Sequence, residues 1–172
     1  VPGELKGMWE LHQRYGKLPW KDLFKPVITL CKEGHEVTEY LARVLRKKNE
    51  TIKEVPSLRE IFVNPKTNEI WEAGDKIKRL ALAETLETIA NEGADTMYSM
   101  GKVGRQLLDD ITEFGGILTE SDFAEYKVKW MKPLEATLKN GEKLYSMPLS
   151  GSGALLIFIM NLLKGYDLKH DA

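Results

Sequence analysis

The sequence predicts an α+β fold class that is mostly helical, with a β-hairpin and one further helix at the C-terminal end. Three observations predict it. Apolar residues recur at helical spacing in most of residues 1–115, and glycines follow several of these segments. Asn140-Gly141 then separates two short runs with a strand pattern. All but the last of the predicted helices therefore precede the strands.

The first two helices are predicted on either side of Gly16. Pro2 and Glu4 suit a first helical turn, and Gly16 offers a left-handed end to that helix. Pro19 begins the second helix, and Gly34 closes it. The apolar residues predicted to share one face of this second helix are Leu23, Val27, Leu30 and Cys31.

A third helix and a connector are predicted next. Thr38 is placed to cap the helix, and the basic residues 46–48 complement its C-terminal end. The periodicity weakens over residues 50–79, which we interpret as a connector that packs onto another element. Within it, residues 57–60 have the spacing of a capping box and residues 70–71 suit a short strand.

Two more helices and a short helical turn complete the helical part. An amphipathic helix runs from Leu80 to Asn91 with Gly93 past its end, and residues 115–116 break the next helix. Thr119, with an acid three positions later, marks the short turn. The apolar residues of the two longer helices are Leu82, Leu86, Ile89, Ala90, Val103, Leu107, Leu108 and Ile111.

The C-terminal part predicts a hairpin, a loop and an apolar helix. Residues 134–138 and 143–147 flank Asn140-Gly141, which suits a tight primed turn. The loop 148–153 leads into the helix, and we expect Ser150 or Ser152 to cap it and the glycines to let it pack on the strand. A helix N-terminus also attracts anions, but this loop lacks the Lys-Ser/Thr of a phosphate-binding loop and the spacing of a nucleophile elbow.

Composition argues against several partners. With 25 basic and 26 acidic residues, the net charge of −1 gives no field that recruits nucleic acid or an anionic membrane. The longest apolar run, 154–160, is far shorter than the roughly 20 residues that cross a bilayer. The single Cys31 follows Leu30 on an apolar helix face, which favours a buried, inert thiol.

No catalytic, substrate-binding, cofactor or metal residue is assigned. His12 is expected to be a half-buried helix residue, His35 a loop residue and His170 part of a frayed end, without the i, i+3 or i+4 partner of a helical metal site. Acidic pairs are expected to be solvated or to cap helices, and tryptophans to anchor a core or an interface. These residues are Glu84 with Glu87, Asp109 with Asp110, Glu120 with Asp122, Trp9, Trp20, Trp71 and Trp130.

Several motifs together resemble the large subunit of gamma-glutamyltransferase, also called glutathione hydrolase. The likeness extends over nearly the whole chain. The matching segments are Val1-Pro-Gly-Glu4, Leu18-Pro-Trp20 with Leu23-Phe24 and Pro26, Gly115-Gly-Ile-Leu-Thr119 with Asp122 and Tyr126, and residues 144–166.

The resemblance implies a fold and a chemistry. The family belongs to the N-terminal-nucleophile hydrolases, which have a four-layer αββα fold, and its precursor cleaves itself so that a threonine begins the small subunit. That threonine attacks the gamma-glutamyl carbonyl of glutathione without a metal or organic cofactor. Both the nucleophile and the family's substrate-carboxylate arginine lie outside the matched segments. The implied partners are the rest of the large subunit, the small catalytic subunit and glutathione, in an extracellular protein that is anchored or secreted.

We therefore expect residues 1–172 to be one incomplete domain, a fragment that is inactive alone. Asn49-Glu50-Thr51 is a glycosylation sequon, relevant only in a secreted protein. One alternative is a catalytically inactive relative that serves as a binding or structural module, and another is an independent helical interaction domain. Apolar residues nearly encircle the last helix, which predicts large exposed apolar patches and poor solubility for the isolated chain. They are Leu155, Leu156, Phe158, Ile159, Leu162 and Leu163.

Overall fold

The computed structural model describes residues 1–166 and contains two compact units, Val1–Val128 and Lys129–Ala172. Each unit is built from elements that are close in sequence. The predicted α+β class is confirmed, since the described residues are mostly helical with small sheets. The expectation of a single incomplete domain stays a prediction.

The first unit contains nine helices and a two-stranded sheet among its described residues. β1 and β2 pair antiparallel, with His35 opposite Ile77 and Glu36 opposite Lys76. Because each strand has only two residues, the pairing depends on the helices packed around it. The elements are α1 (Glu4–Tyr15), α2 (Trp20–Glu33), β1 (His35–Glu36), α3 (Glu39–Lys47), α4 (Asn49–Glu54), α5 (Pro56–Phe62), β2 (Lys76–Ile77), α6 (Leu80–Glu92), α7 (Asp95–Tyr98), α8 (Lys102–Glu113) and α9 (Glu120–Ala124).

Local end signals are confirmed at several helices, including α2, which Gly34 closes with a φ of 97°. The side chain of Thr38 accepts a hydrogen bond from the amide of Leu41 at 3.2 Å and caps α3. Thr119 and Asp122 form the reciprocal capping box of α9. Gly93 ends α6 with a positive φ of 76°. In each case the residues that make the motif lie within four positions of one another, so their spacing alone predicts it.

Two other predicted helix-end signals are wrong, and so are two predictions of local secondary structure. Gly16 follows α1 in an extended conformation, φ −65° and ψ 142°, and not in a left-handed one. The spacing at residues 57–60 forms no capping box, because Pro56 occupies the first helical positions and Val55 becomes the N-cap. His35 lies in β1 and not in a loop. Ile70 makes only a single bridge, with Val63, in place of the short strand expected at 70–71.

The core of the first unit includes three clusters of buried apolar residues. One cluster joins α7 to α9 and the loops around them. Two others lie between α3, α4 and the segment that leads to β2. The buried members are Ala94, Met97, Tyr98, Met100 and Phe123 in the first, Leu45, Ile52, Val63 and Ile70 in the second, and Val37, Ala42 and Ile77 in the third.

The apolar face predicted for α2 is largely exposed. Leu23, Val27 and Leu30 are 45%, 46% and 52% exposed, whereas Cys31 is 5% exposed. α2 packs on α6, and the indole nitrogen of Trp20 donates to the carbonyl of Ile89 at 3.0 Å. The helix is therefore held through one edge of its apolar surface.

The second unit is a hairpin with a helix packed on it. The strands are β3 (Leu134–Thr137) and β4 (Lys143–Ser146), and the helix is α10 (Gly153–Leu163). Leu134 lies opposite Ser146 and Thr137 opposite Lys143, which confirms the predicted hairpin. Its side chains alternate between half-buried and exposed, and α10 contacts both strands.

The turn of this hairpin differs from the primed turn that Asn-Gly predicts. Gly141 has a φ of +86° and its amide donates to the carbonyl of Leu138 at 3.1 Å, while Asn140 does not share the positive φ. A primed turn of type I′ needs positive φ at both central residues. The longer loop, closed by a bond from Leu138 N to Glu142 O at 2.8 Å, places only the glycine in that conformation.

Candidate functional site

The segment between β4 and α10 confirms the predicted strand, loop and helix. Gly153 is buried against the end of the strand, and a Cβ on it would lie 1.9 Å from the carbonyl oxygen of Met147. A Cβ on Gly151 would lie 2.8 Å from Cβ of Met147. The glycines therefore serve the predicted purpose, which is close approach of the helix to the strand.

The serines of this loop do not cap the helix through their side chains, so that prediction is wrong. Ser152 is the N-cap residue of α10, but its backbone has φ −87° and ψ 15°, and no side-chain capping bond is present. An N-cap hydroxyl normally reaches the first-turn amides from an extended backbone. Only the backbone carbonyl of Ser152 is used, accepting from Leu156 N at 3.0 Å.

Tyr98 anchors the start of α1 from a distant part of the chain. Its hydroxyl donates to the carbonyl of Pro2 at 2.6 Å and accepts from the amide of Lys6 at 3.1 Å. Gly3, the N-cap of α1, has no side chain for this purpose, so Tyr98 supplies the cap. Tyr98 is 3% exposed, and this burial raises the pKa of its phenol despite the hydrogen bond from Lys6.

Tyr126 explains why glycine occupies position 3. The ring of Tyr126 stacks on that of Tyr98 with centroids 5.6 Å apart, and a Cβ on Gly3 would lie 2.0 Å from the Tyr126 hydroxyl oxygen. The structure thus brings together two of the motifs that carry the family resemblance. Sequence reasoning missed the contact, because the only signal was a helix that starts at Pro-Gly without a capping side chain.

The histidines do not meet one another in the part of the chain that the structure describes. His12 is half-buried, as predicted, and its Nε2 lies 2.8 Å from the carbonyl of Leu18. The rings of Trp9 and Trp20 lie 6.5 and 5.2 Å from the His12 ring. His170 lies outside the described residues. Within residues 1–166, no group of three or more His, Cys, Asp or Glu side chains is arranged to hold a metal ion.

The remaining candidates have structural roles. Cys31 is buried, as predicted, without a disulfide. Glu87 pairs with Lys32 at 2.5 Å, and Asp110 accepts from the Gln106 amide at 3.0 Å. Asp122 caps α9, and hydrogen bonds from the Thr119 side chain and backbone lower the pKa of this carboxyl. The expectation of solvated or capping acids is confirmed for Asp110, which is exposed, and for Asp122, whereas Glu87 is half-buried and joins α6 to α2 through its ion pair.

Three of the tryptophans anchor packed elements, as predicted. Trp20 bonds to α6, and the indole nitrogen of Trp71 donates to the carbonyl of Ile61 at 3.0 Å. The Trp9 ring would lie only 3.0 Å from a Cβ on Gly93. Trp130, in the second unit, is 50% exposed.

Asn49 begins α4 at its junction with α3. The residue is half-buried, and its Oδ1 is buried with no hydrogen-bond partner. Glu50 and Thr51, which complete the sequon, are exposed. Among residues 1–166, no helix has the length and apolar character needed to traverse a bilayer.

Comparison with solved structures defines the class of protein first. A gamma-glutamyltranspeptidase from Helicobacter pylori superimposes with a TM-score of 0.89 at 31% identity, over 100% of this chain and 50% of that chain. One from Pseudomonas nitroreducens gives 0.79 at 31% identity, over 99% and 51%. These are N-terminal-nucleophile hydrolases, so the chain forms a mostly helical part of that fold, as predicted.

Sequence comparison then defines the family. The family model described as gamma-glutamyltranspeptidase matches residues 1–172, and the chain belongs to that family. Glutathione hydrolase 5 proenzyme of Rattus norvegicus is 43% identical over 99% of this chain. Scoloptoxin SSD14 of Scolopendra dehaani is 42% identical over 98%. The chain spans 29% of the length of each of these two relatives.

Proposed function

We propose that this chain is part of an enzyme that hydrolyses glutathione and transfers its gamma-glutamyl group to water, amino acids or peptides. The 43% identity to a glutathione hydrolase proenzyme over 99% of the chain is the observation that carries this proposal. The TM-score of 0.89 to a gamma-glutamyltranspeptidase supports it, because the backbone corresponds along the whole chain.

The chemistry follows from the family. A threonine hydroxyl attacks the gamma-glutamyl carbonyl, an ester bond forms, and the amide bond to the cysteinyl nitrogen breaks as the threonine's own amine moves the proton to the leaving nitrogen. Water or an acceptor amine then attacks the ester and restores the hydroxyl. No metal or organic cofactor enters this sequence of steps. We place the threonine outside residues 1–172.

The chain contributes scaffold to such an enzyme. Its partners in this proposal are the rest of the large subunit and the small catalytic subunit of the same precursor. The exposed apolar surface of α10 supports this, since Phe158 and Leu162 are 63% and 59% exposed on a helix that is apolar on nearly all sides. A two-stranded hairpin alone is also marginally stable, so β3 and β4 gain from further strands or packing. Alone, the chain is inactive.

We also propose an extracellular location, with the protein anchored or secreted. One relative at 42% identity is named a toxin, which supports secretion. Asn49 is then a glycosylation candidate: its buried atom is the side-chain oxygen, and the glycan would be carried by the nitrogen. Treating the secreted full-length protein with peptide N-glycosidase and measuring deamidation at Asn49 tests this, with Asn49→Gln as control. An unmodified Asn49 would reject the site.

The second candidate function is a catalytically inactive relative that serves as a secreted binding or structural module. The observation behind it is that one relative, 42% identical, is named a scoloptoxin and not a hydrolase. The two candidates differ in residues outside this chain: only the enzyme needs a threonine that becomes N-terminal by cleavage.

Expression of the full reading frame that contains this chain separates the two candidates. The enzyme proposal predicts self-cleavage into two subunits and release of the chromophore from a gamma-glutamyl anilide. Threonine→alanine substitution at the new N-terminus should abolish both. An intact precursor that releases no chromophore would reject the enzyme and favour the inactive module.

A further inference from the structure

The turn between α8 and α9 displays two large apolar side chains to solvent. Phe114 and Ile117 are 88% and 92% exposed, the largest values for big apolar residues within residues 1–166. Removing apolar side chains of this size from water favours association with a partner that covers them. We call the segment from Phe114 to Ile117 the apolar turn.

The apolar turn is held firmly on its N-terminal side. Gly115 has a φ of +78° and its amide donates to the carbonyl of Thr112 at 3.0 Å. The amide of Gly116 donates to the carbonyl of Ile111 at 2.7 Å, and a Cβ on Gly116 would lie 2.3 Å from Cγ2 of Ile111. The two glycines therefore define a tight path that other residues would disturb.

The C-terminal side is held as well. Leu118 packs against the buried cluster that contains Phe123. The next residue, Thr119, forms the capping box of α9 with Asp122. Because both ends are anchored, the folded backbone holds Phe114 and Ile117 in their exposed positions. A rigid apolar anchor of this kind loses little conformational entropy when a partner covers it.

Acidic residues flank the apolar turn on both sides in the sequence. Asp109, Asp110 and Glu113 lie in the last turns of α8, and Glu120 begins α9, all of them exposed. An anionic membrane surface repels such a rim. The combination fits an apolar socket with basic side chains at its edge, which is the chemistry of a protein partner.

The length of the family members indicates where that partner is. The chain covers 50% of the Helicobacter pylori chain and 29% of the rat relative, so half or more of each of these proteins lies outside the matched region. We propose that the apolar turn docks into an apolar, basic-rimmed socket formed by polypeptide of its own protein outside residues 1–172. The inference rests on the proposed family architecture but not on catalysis.

Photo-crosslinking in the full-length protein tests the proposal. Phe114 is replaced by p-benzoylphenylalanine, which keeps the aromatic ring, and the irradiated product is mapped by mass spectrometry. The expected result is a crosslink within one protein, from position 114 to a segment outside residues 1–172. A crosslink to a second copy, or no crosslink, would overturn the proposal.

Matched variants check the chemistry of the socket. Ile117→Asp in the probe protein should abolish the crosslink, and Glu113→Lys should reduce it while Glu113→Asp leaves it unchanged. Equal crosslinking by all three variants would contradict the proposal. Flotation of the full-length protein with phosphatidylserine vesicles that requires Phe114 and Ile117 would overturn it in favour of a membrane.

Activity assays on the same preparations keep the two proposals separate. A protein that is silent toward gamma-glutamyl anilide but crosslinks internally supports the docking inference and rejects the enzyme. An active protein without the crosslink does the reverse.

Discussion

The two units of the chain differ in how they bury their apolar residues. The first unit, Val1–Val128, buries Phe123, Val37 and Ala42 completely, each 0% exposed. In the described part of the second unit, only Gly153 is buried, although α10 is the most apolar of the helices within residues 1–166. Apolar composition therefore does not produce a core where too few elements are present to cover it.

The difference indicates which unit can stand alone. The first unit has internal clusters, side-chain caps and the Tyr98 anchor, all made by its own residues. The second has one hairpin for α10 to pack on. We infer that the second unit obtains most of its stability in the complete protein.

The largest expected effect comes from truncating a buried phenylalanine. In the 172-residue chain, Phe123→Ala should lower the free energy of unfolding by about 3–5 kcal/mol, because it leaves a cavity in the first unit. Phe158→Ala, on exposed α10, should change it by less than about 0.5 kcal/mol. Urea unfolding measures both. Equal losses would show that α10 is already buried in the isolated chain, contrary to the comparison.

Within the second unit, the position most sensitive to mutation is Gly153. Gly153→Ala should cost about 1–3 kcal/mol, since the new Cβ overlaps the Met147 carbonyl. Gly7→Ala is the matched control, because nothing lies within 4 Å of that helical position, and it should stabilise by about 0.5–1 kcal/mol. Thermal unfolding followed by circular dichroism gives both values. If Gly153→Ala is neutral, the helix and strand do not meet as described.

The Tyr98 anchor should show a smaller but specific effect. Tyr98→Phe leaves the Lys6 amide and the Pro2 carbonyl without their partner, which should cost about 1–2 kcal/mol. The same change at Tyr145, which is 57% exposed, should be nearly silent. A Tyr98→Phe protein as stable as the parent would rule out the anchor.

The anchor also predicts behaviour at alkaline pH. Because burial raises the pKa of Tyr98, its contribution is complete below the ordinary tyrosine pKa and is lost as pH rises through the raised value. Tyr98→Phe should therefore reduce the loss of stability at alkaline pH. Unfolding midpoints of both proteins, measured from below the ordinary tyrosine pKa to above the raised one, test this prediction.

The smallest expected effect is at Asp122. Its pKa is lowered by the Thr119 hydrogen bonds, so its contribution is present above the ordinary aspartate pKa and is lost as pH falls through the lowered value. Asp122→Asn should flatten this acid dependence, while Asp109→Asn, on α8, should not. The readout is amide exchange in α9 as a function of pH. An unchanged profile in Asp122→Asn would contradict the capping role.

Local patterns predicted much of the fold. The caps at Thr38 and Thr119, the helix ending at Gly93 and the hairpin depend on residues near one another in sequence, and all four are confirmed. The pairing of β1 with β2 was missed, because two-residue strands have no periodicity and are set by packing. The predictions of the hairpin's turn type and of the side-chain cap of α10 were wrong because several backbone conformations are compatible with the same residues.

In the candidate site, too, a contact between residues near in sequence was predicted and a long-range contact was missed. The close approach of Gly153 to the strand was predicted from the loop, since a glycine before an apolar helix suggests it. The Tyr98 anchor joins residues 92 positions apart, which no local pattern can indicate. The motif resemblance identified the family, whereas the exposed apolar turn emerged only from the structure.

Hydrogen exchange in α10 tests the central claim, that the second unit is completed by polypeptide outside this chain. Amide protection at residues 153–163 is measured in the 172-residue chain and in the full-length protein, with α6 as internal reference. We predict that protection of α10 rises strongly in the full-length protein while that of α6 changes little. Equal and strong protection of α10 in both proteins would contradict the claim.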